Sequence, residues 1–211
     1  MTFSLAKNMK ILYNGQAVQR SVRKILTKNK TTKGKFNMKA KKKSTLFMVQ
    51  AAVIAALYIA LCYAQELILP SSATGAIQVR LAEALCTLAI FTPAAIPGLT
   101  VGCFVTNLLT VGVIPTDLIL GTFATFLAAL TAYALRNVKI LKLPLLSLLM
   151  PVIFNAVIIG WEIEFFYIEG GFTMTGFLIQ AGFVGLGELI ACVGLGIPLY
   201  LMLNKLNIFD R

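Results

Sequence analysis

Residues 45–65, TLFMVQAAVIAALYIALCYAQ, run for 21 positions without a charged side chain. About 20 such residues suffice for a helix to cross the hydrocarbon core of a bilayer. Further apolar stretches follow at about 81–93, 97–113, 117–136, 144–164 and 176–203, separated by Gly, Pro and polar residues. In lipid every backbone N–H and C=O must find its partner inside the protein, so a chain patterned like this folds as a bundle of helices. The reading is an all-α integral membrane protein with six transmembrane helices. Composition agrees: 58% of residues are hydrophobic, 13% are charged, and the mean hydropathy is +0.85, which leaves too little polar surface for a water-soluble domain.

The net charge of +11 suggests a nucleic-acid or lipid-surface ligand until it is mapped along the chain. Thirteen of the 19 Lys and Arg lie in residues 1–43, which contain no acid, so the other six face all eight carboxylates and residues 44–211 carry −2. Residues 1–43 form a basic tail without sustained periodicity, expected to be disordered, and residues 44–211 form the six-helix membrane domain. Met38 opens MKAKKKSTLF, a short basic leader directly before the first span. The stretch KGKFN just upstream permits a purine-rich ribosome-binding sequence, so residues 1–37 are expected to be leader from a misassigned start. A tail acting as a membrane-tethered RNA binder is a weaker alternative, and no nucleic-acid partner is expected.

What the sequence lacks narrows the chemistry. There is no histidine, and the four cysteines stand singly in apolar segments, so neither a metal centre nor another cofactor is expected. No P-loop occurs, so the chain does not hydrolyse ATP in that manner. No nucleophile constellation occurs either, and the chain reads as a binder that borrows its energy from partners. A stand-alone membrane enzyme using Glu162 and Glu188 as acid and base is the competing class.

Lys39 to Lys43, then Arg136, Lys139 and Lys142, then Lys205 and Arg211 flank the spans. Six crossings put all three clusters on one side, the cytoplasm by the positive-inside rule, with both termini inside. Charged groups within spans are costly and face a cavity or a partner. Arg80 and Glu83 in IQVRLAEAL are three apart on one helical face and can neutralise each other. Asn155 and Glu162 in FNAVIIGWEIEFFY are seven apart and share a face, with Trp161 beside them to stack on a flat ligand. Asn107 lies near midplane depth, and Glu188 sits among glycines that permit close approach. Asn side chains also serve as interhelical glue. Carboxylates and amides with one arginine make an acceptor-rich pocket suited to a ligand with N–H donors or a positive charge.

One further pattern stands in the first span. Ala52, Ala56, Ala60 and Ala64 recur every four residues in AAVIAALYIALCYA and line one helical face with methyl groups. Such a stripe is either helix-favouring filler or a surface for close helix contact.

The stretches GAIQVRLAEAL, PAAIPGLTVGCFVTNLLT, TDLILGTFATFLAALTAYALRN, PVIFNAVIIGWEIEF and GLGELIACVGLGIPLYL, in this order, resemble the QueT family of queuosine-precursor transporters. Members of that family are substrate-binding (S) components of energy-coupling factor (ECF) transporters. The resemblance implies a six-helix S-component bundle in the bacterial cell membrane and a ligand site near the outer face. It also implies two ATPases and a transmembrane coupling protein as partners. The implied ligand is a 7-deazaguanine such as 7-aminomethyl-7-deazaguanine, or queuine; another nucleobase-like or cationic vitamin is the alternative. The alanine stripe Ala52, Ala56, Ala60 and Ala64 matches the family's docking surface for the coupling protein.

Overall fold

A computed structural model describes residues 43–69, 79–110 and 115–206. The basic tail and the start expected at Met38 lie outside the described residues. The chain divides into two units, Met1–Leu46 and Phe47–Arg211, and the first contributes only the opening residues of the first helix to what is described.

The described residues are helical, without a strand; Ile140 and Leu143 form an isolated antiparallel bridge. Helix α1 spans Lys43–Ile68 and is followed by a 3₁₀ segment, Leu81–Ile90. Then come α2 (Ala95–Leu109), α3 (Pro115–Ala134) and α4 (Leu145–Phe166). The last helix, α5, runs Met174–Leu206 and is α-helical over Met174–Leu189, π-helical over Ile190–Leu195 and α-helical again over Gly196–Leu206.

Four of these, α1, α3, α4 and α5, are long and apolar enough to cross a membrane, whereas Leu81–Ile90 and Ala95–Leu109 are shorter. At a rise of about 2.0 Å per 3₁₀ residue and 1.5 Å per α residue, the two short segments each extend about 20–23 Å, less than a ~30 Å hydrocarbon core. The expected second helix at 81–93 is therefore present but overwound and shorter. Thr92 ends it, with its N–H on the Leu88 carbonyl at 3.0 Å, and Pro93 follows with no N–H to extend the ladder.

Small residues decide how the helices meet. On α1 the inner face carries Ile54, Ala55, Tyr58 and Gln65, all buried. Gly98 and Gly102, four apart on α2, press against that face. A Cβ at Gly98 would come 2.7 Å from the Ala51 carbonyl, and one at Gly102 would come 2.8 Å from Tyr58 Cβ. This is the close crossing that small-xxx-small spacing allows in lipid. Helix α3 turns Ala124, Ala128, Ala129 and Ala132 inward, each fully buried. Between α4 and α5, Gly160 lies against the backbone of Ala181.

One end of the bundle is tied by polar side chains. Glu164, near the end of α4, accepts from the Thr173 N–H at 3.2 Å and from Thr173 Oγ1 at 2.7 Å, and Thr173 Oγ1 in turn accepts from the Gly176 N–H at 3.0 Å. Thr173 is thus the N-cap of α5, held by the preceding helix. The first turn of α3 joins the same end, where the Tyr167 hydroxyl donates to Asp117 Oδ2. From this end a chain of buried polar groups reaches into the bundle.

Candidate functional site

Besides Glu164 at the tied end, three buried carboxylates are found among the described residues, and their surroundings differ. Glu83, on the 3₁₀ segment, is satisfied by the protein: its Oε1 accepts from Tyr58 Oη at 2.6 Å and Thr125 Oγ1 at 3.1 Å, and its Oε2 accepts from Cys86 Sγ at 3.2 Å. Those donors come from α1, α3 and the segment itself. Glu83 therefore fastens three elements together.

Glu188 is equally buried, at the C-terminal end of the first α-helical part of α5. The π turn that follows brings Cys192 Sγ to 3.4 Å from its Oε2. A π turn inserts a residue into the helix and widens it, a distortion often found at functional sites. Asn155 of α4 lies against Glu188, and its buried Nδ2 makes no well-formed hydrogen bond.

Glu162 differs from both. It is fully buried, and neither carboxylate oxygen makes a well-formed hydrogen bond. Asp117 and Thr116 of α3 lie close enough to interact with it, and Thr116 Oγ1 is likewise buried without a well-formed hydrogen bond. Burying an ionised carboxylate without full hydrogen bonding is costly, so the site favours a ligand that supplies donors. Glu162 stands four residues before the end of α4, about 6 Å from the tied end of the bundle, and Asn155 about 17 Å from it. The unsatisfied groups thus line a path inward.

Among the described residues, the cation beside these acids is Arg80. It is the N-cap of the 3₁₀ segment, with an extended backbone, φ −101° and ψ 97°, and its carbonyl accepts the Glu83 N–H at 3.1 Å. Its Nη1 reaches α3, where a Cβ on Gly121 would lie 3.9 Å away. The charges of Glu188, Glu83 and Glu162 all act on it. Asn107 completes this wall by donating from Nδ2 to the Asp117 carbonyl at 3.1 Å.

The family profile of the QueT transporter matches residues 48–205, most of the chain and all of these groups. The chain belongs to the QueT transporter family. No curated protein and no solved structure matches it. Family membership and the four apolar helices make it a membrane transporter.

In this QueT chain, of the seven candidate residues named from the sequence, Glu83, Asn155, Glu162 and Glu188 are buried in the bundle, and Arg80 and Asn107 are half-buried on its wall. Trp161 does not join them. It is 39% exposed and stacks on Phe165 with ring centroids 5.2 Å apart, on the outside of α4. Its neighbour Glu162 turns inward, because adjacent residues of a helix point about 100° apart. Ala52, Ala56, Ala60 and Ala64 are all exposed, on the face of α1 opposite Tyr58 and Ala55. Among the described residues no group of three His, Cys, Asp or Glu could hold a metal ion.

Sequence reasoning passed over Tyr58, Thr125, Gln65 and the Gly98/Gly102 pair. The glycines carried a readable signal in their spacing of four; Tyr58 and Thr125 carried none, since an apolar helix normally contains such residues. Chemically, an orphaned carboxylate, an orphaned amide and a guanidinium within one buried interior offer two acceptors beside donors. That suits a flat, polar, neutral or cationic molecule better than an anion.

Proposed function

We propose that this QueT chain is the S component of an ECF importer and that it captures a 7-deazaguanine queuosine precursor, such as 7-aminomethyl-7-deazaguanine or queuine. The observation that carries the reading is Glu162, whose two buried oxygens make no well-formed hydrogen bond within the protein. A deazaguanine presents N1–H and a 2-amino group side by side, and one carboxylate accepts both. An aminomethyl substituent adds a cation, for which Asp117 stands near. The cost of burying Glu162 unpaired is then returned when the ligand arrives.

In this reading all six helical segments cross or enter the bilayer, the two short ones within the shelter of the longer four. The clusters at Lys43, Arg136 to Lys142 and Lys205 face the cytoplasm with both termini, and the tied end of the bundle faces outward. The chain contributes no catalysis. ATP is hydrolysed by two partner subunits and coupled through a transmembrane protein that docks on the exposed stripe of Ala52, Ala56, Ala60 and Ala64. The stripe's exposure supports this, because within the described residues nothing of this chain covers it.

Calorimetric titration of the purified chain with a small purine panel tests the proposal. Stoichiometric, reversible binding of a 7-deazaguanine in preference to adenine and guanine is expected. Turnover of the added base, or preference for an unrelated cation, overturns it.

A further inference from the structure

Gln65 stands at the end of α1, 4% exposed, and uses both ends of its carboxamide on the backbone that flanks Arg80. Its Nε2 donates to the Val79 carbonyl, and its Oε1 accepts the Leu81 N–H at 2.8 Å. The two backbone groups belong to the residues before and after Arg80. A carboxamide can satisfy a C=O and an N–H at once only when they are presented side by side, as on a strand edge, and Arg80 has that extended geometry. The side chain of Gln65 therefore acts as a short strand against residue 80.

The consequence falls on the guanidinium. Arg80 carries a long side chain, and its head is useful only if its root is fixed, because each loose torsion spreads the position of the planar fork. With the root clamped, the head reaches Gly121 and lies within the field of Glu83, Glu162 and Glu188. Gly121 keeps the space open, since a Cβ there would come 2.8 Å from Asn107 Nδ2.

We infer that Gln65 is a positioning residue that holds Arg80 as the donor side of the binding site, so that the protein selects rings carrying a carbonyl acceptor beside their N–H donors. This rests on the deazaguanine reading above and deepens it: Glu162 accepts the ring's donors, and Arg80 donates to the ring oxygen next to them. The carbonyl is then recognised by geometry held from α1, not by a residue of its own helix.

Two measurements on the purified full chain in detergent test this. First, affinities for 7-deazaguanine and its 6-thio analogue are compared in the wild type, Gln65→Met and Arg80→Lys; the analogue keeps both donors and weakens only the acceptor. The wild type is expected to prefer the oxo base at least fivefold, and both variants to lose most of that preference. A variant that weakens both bases equally and keeps the ratio acts only on the fold, which overturns the assignment; Arg80→Lys decides alone if Gln65→Met does not fold. Second, hydrogen exchange of the Leu81 amide without ligand is expected to quicken at least tenfold in Gln65→Met, and unchanged exchange overturns the clamp. Wild-type protein that binds neither base overturns the ligand reading and the specificity built on it, while the exchange result still reports on the clamp itself.

Discussion

Tyr58 Oη lies 2.6 Å from Glu83 Oε1 and so joins the middle of α1 to the 3₁₀ segment across 25 positions of sequence. Thr125 adds α3 to the same carboxylate at 3.1 Å. A buried carboxylate that accepts three protein donors has little capacity left for a ligand, whereas Glu162, equally buried, makes no well-formed hydrogen bond within the protein. The two acids divide the work: one holds helices and the other waits for a partner.

Removing the holding contact should cost stability. Tyr58→Phe leaves the ring in place and deletes one of the two donors on Glu83 Oε1. The loss of that bond beside a buried carboxylate is about 1–3 kcal/mol. Thermal unfolding in detergent should show a lowered midpoint for Tyr58→Phe, and a larger drop for Glu83→Leu, which strands the hydroxyls of Tyr58 and Thr125. An unchanged midpoint in Tyr58→Phe would show that the hydroxyl bond is not what secures α1.

Glu162→Gln should behave in the opposite sense. Replacing an unpaired buried carboxylate with a neutral amide relieves desolvation, so the unfolding midpoint stays level or rises. Ligand binding suffers, because the new NH₂ faces the ligand's donors; the expected loss of affinity is about 2–4 kcal/mol by titration. Unaltered affinity in this variant would remove Glu162 from the site.

The sequence announced these acids without ranking them. Glu83, Glu162 and Glu188 were legible because a carboxylate inside an apolar run is expensive and has to be answered by something. What answers each one was not legible. Tyr58 and Thr125 meet Glu83 only because α1, α3 and the 3₁₀ segment converge, and that convergence depends on long-range packing. Trp161 misled for a related reason: its spacing next to Glu162 put an aromatic ring near a polar group in sequence, while the helical rotation between them sent it to the outside. The overwound Leu81–Ile90 and the π turn at Ile190–Leu195 were likewise hidden, since the hydrophobic pattern of a short apolar segment does not distinguish a 3₁₀ or π turn from 3.6 residues per turn.

The α1–α2 crossing gives a third prediction. Gly102→Ala would bring a methyl 2.8 Å from Tyr58 Cβ, a contact that moves the very side chain bonded to Glu83. Overpacking of this kind costs about 1–3 kcal/mol. Gly182, whose added Cβ would meet nothing within 4 Å, supplies the control. Gly182→Ala should leave the midpoint level or raise it by up to about 1 kcal/mol of stability through helix propensity. Equal behaviour of the two variants in thermal unfolding would mean that the crossing is looser than these distances require.

The alanine stripe separates docking from binding. Ala56 and Ala60 are exposed on α1, while the pocket groups nearest to that helix are met by Tyr58 and Gln65 on its other face. Replacing both alanines with leucine therefore adds bulk where no part of the described chain lies, and the double variant should fold and bind its ligand with affinity close to that of the wild type. Helices in lipid associate through close dispersion contact, so the same bulk should block a partner helix at about 1–3 kcal/mol per site. Co-purification with the coupling protein and ATP-driven uptake should both fall sharply. Normal uptake by a well-expressed double variant would make the stripe ordinary lipid-facing surface, and lost ligand binding would mean that α1 transmits changes on its outer face to the pocket through Tyr58 and Gln65.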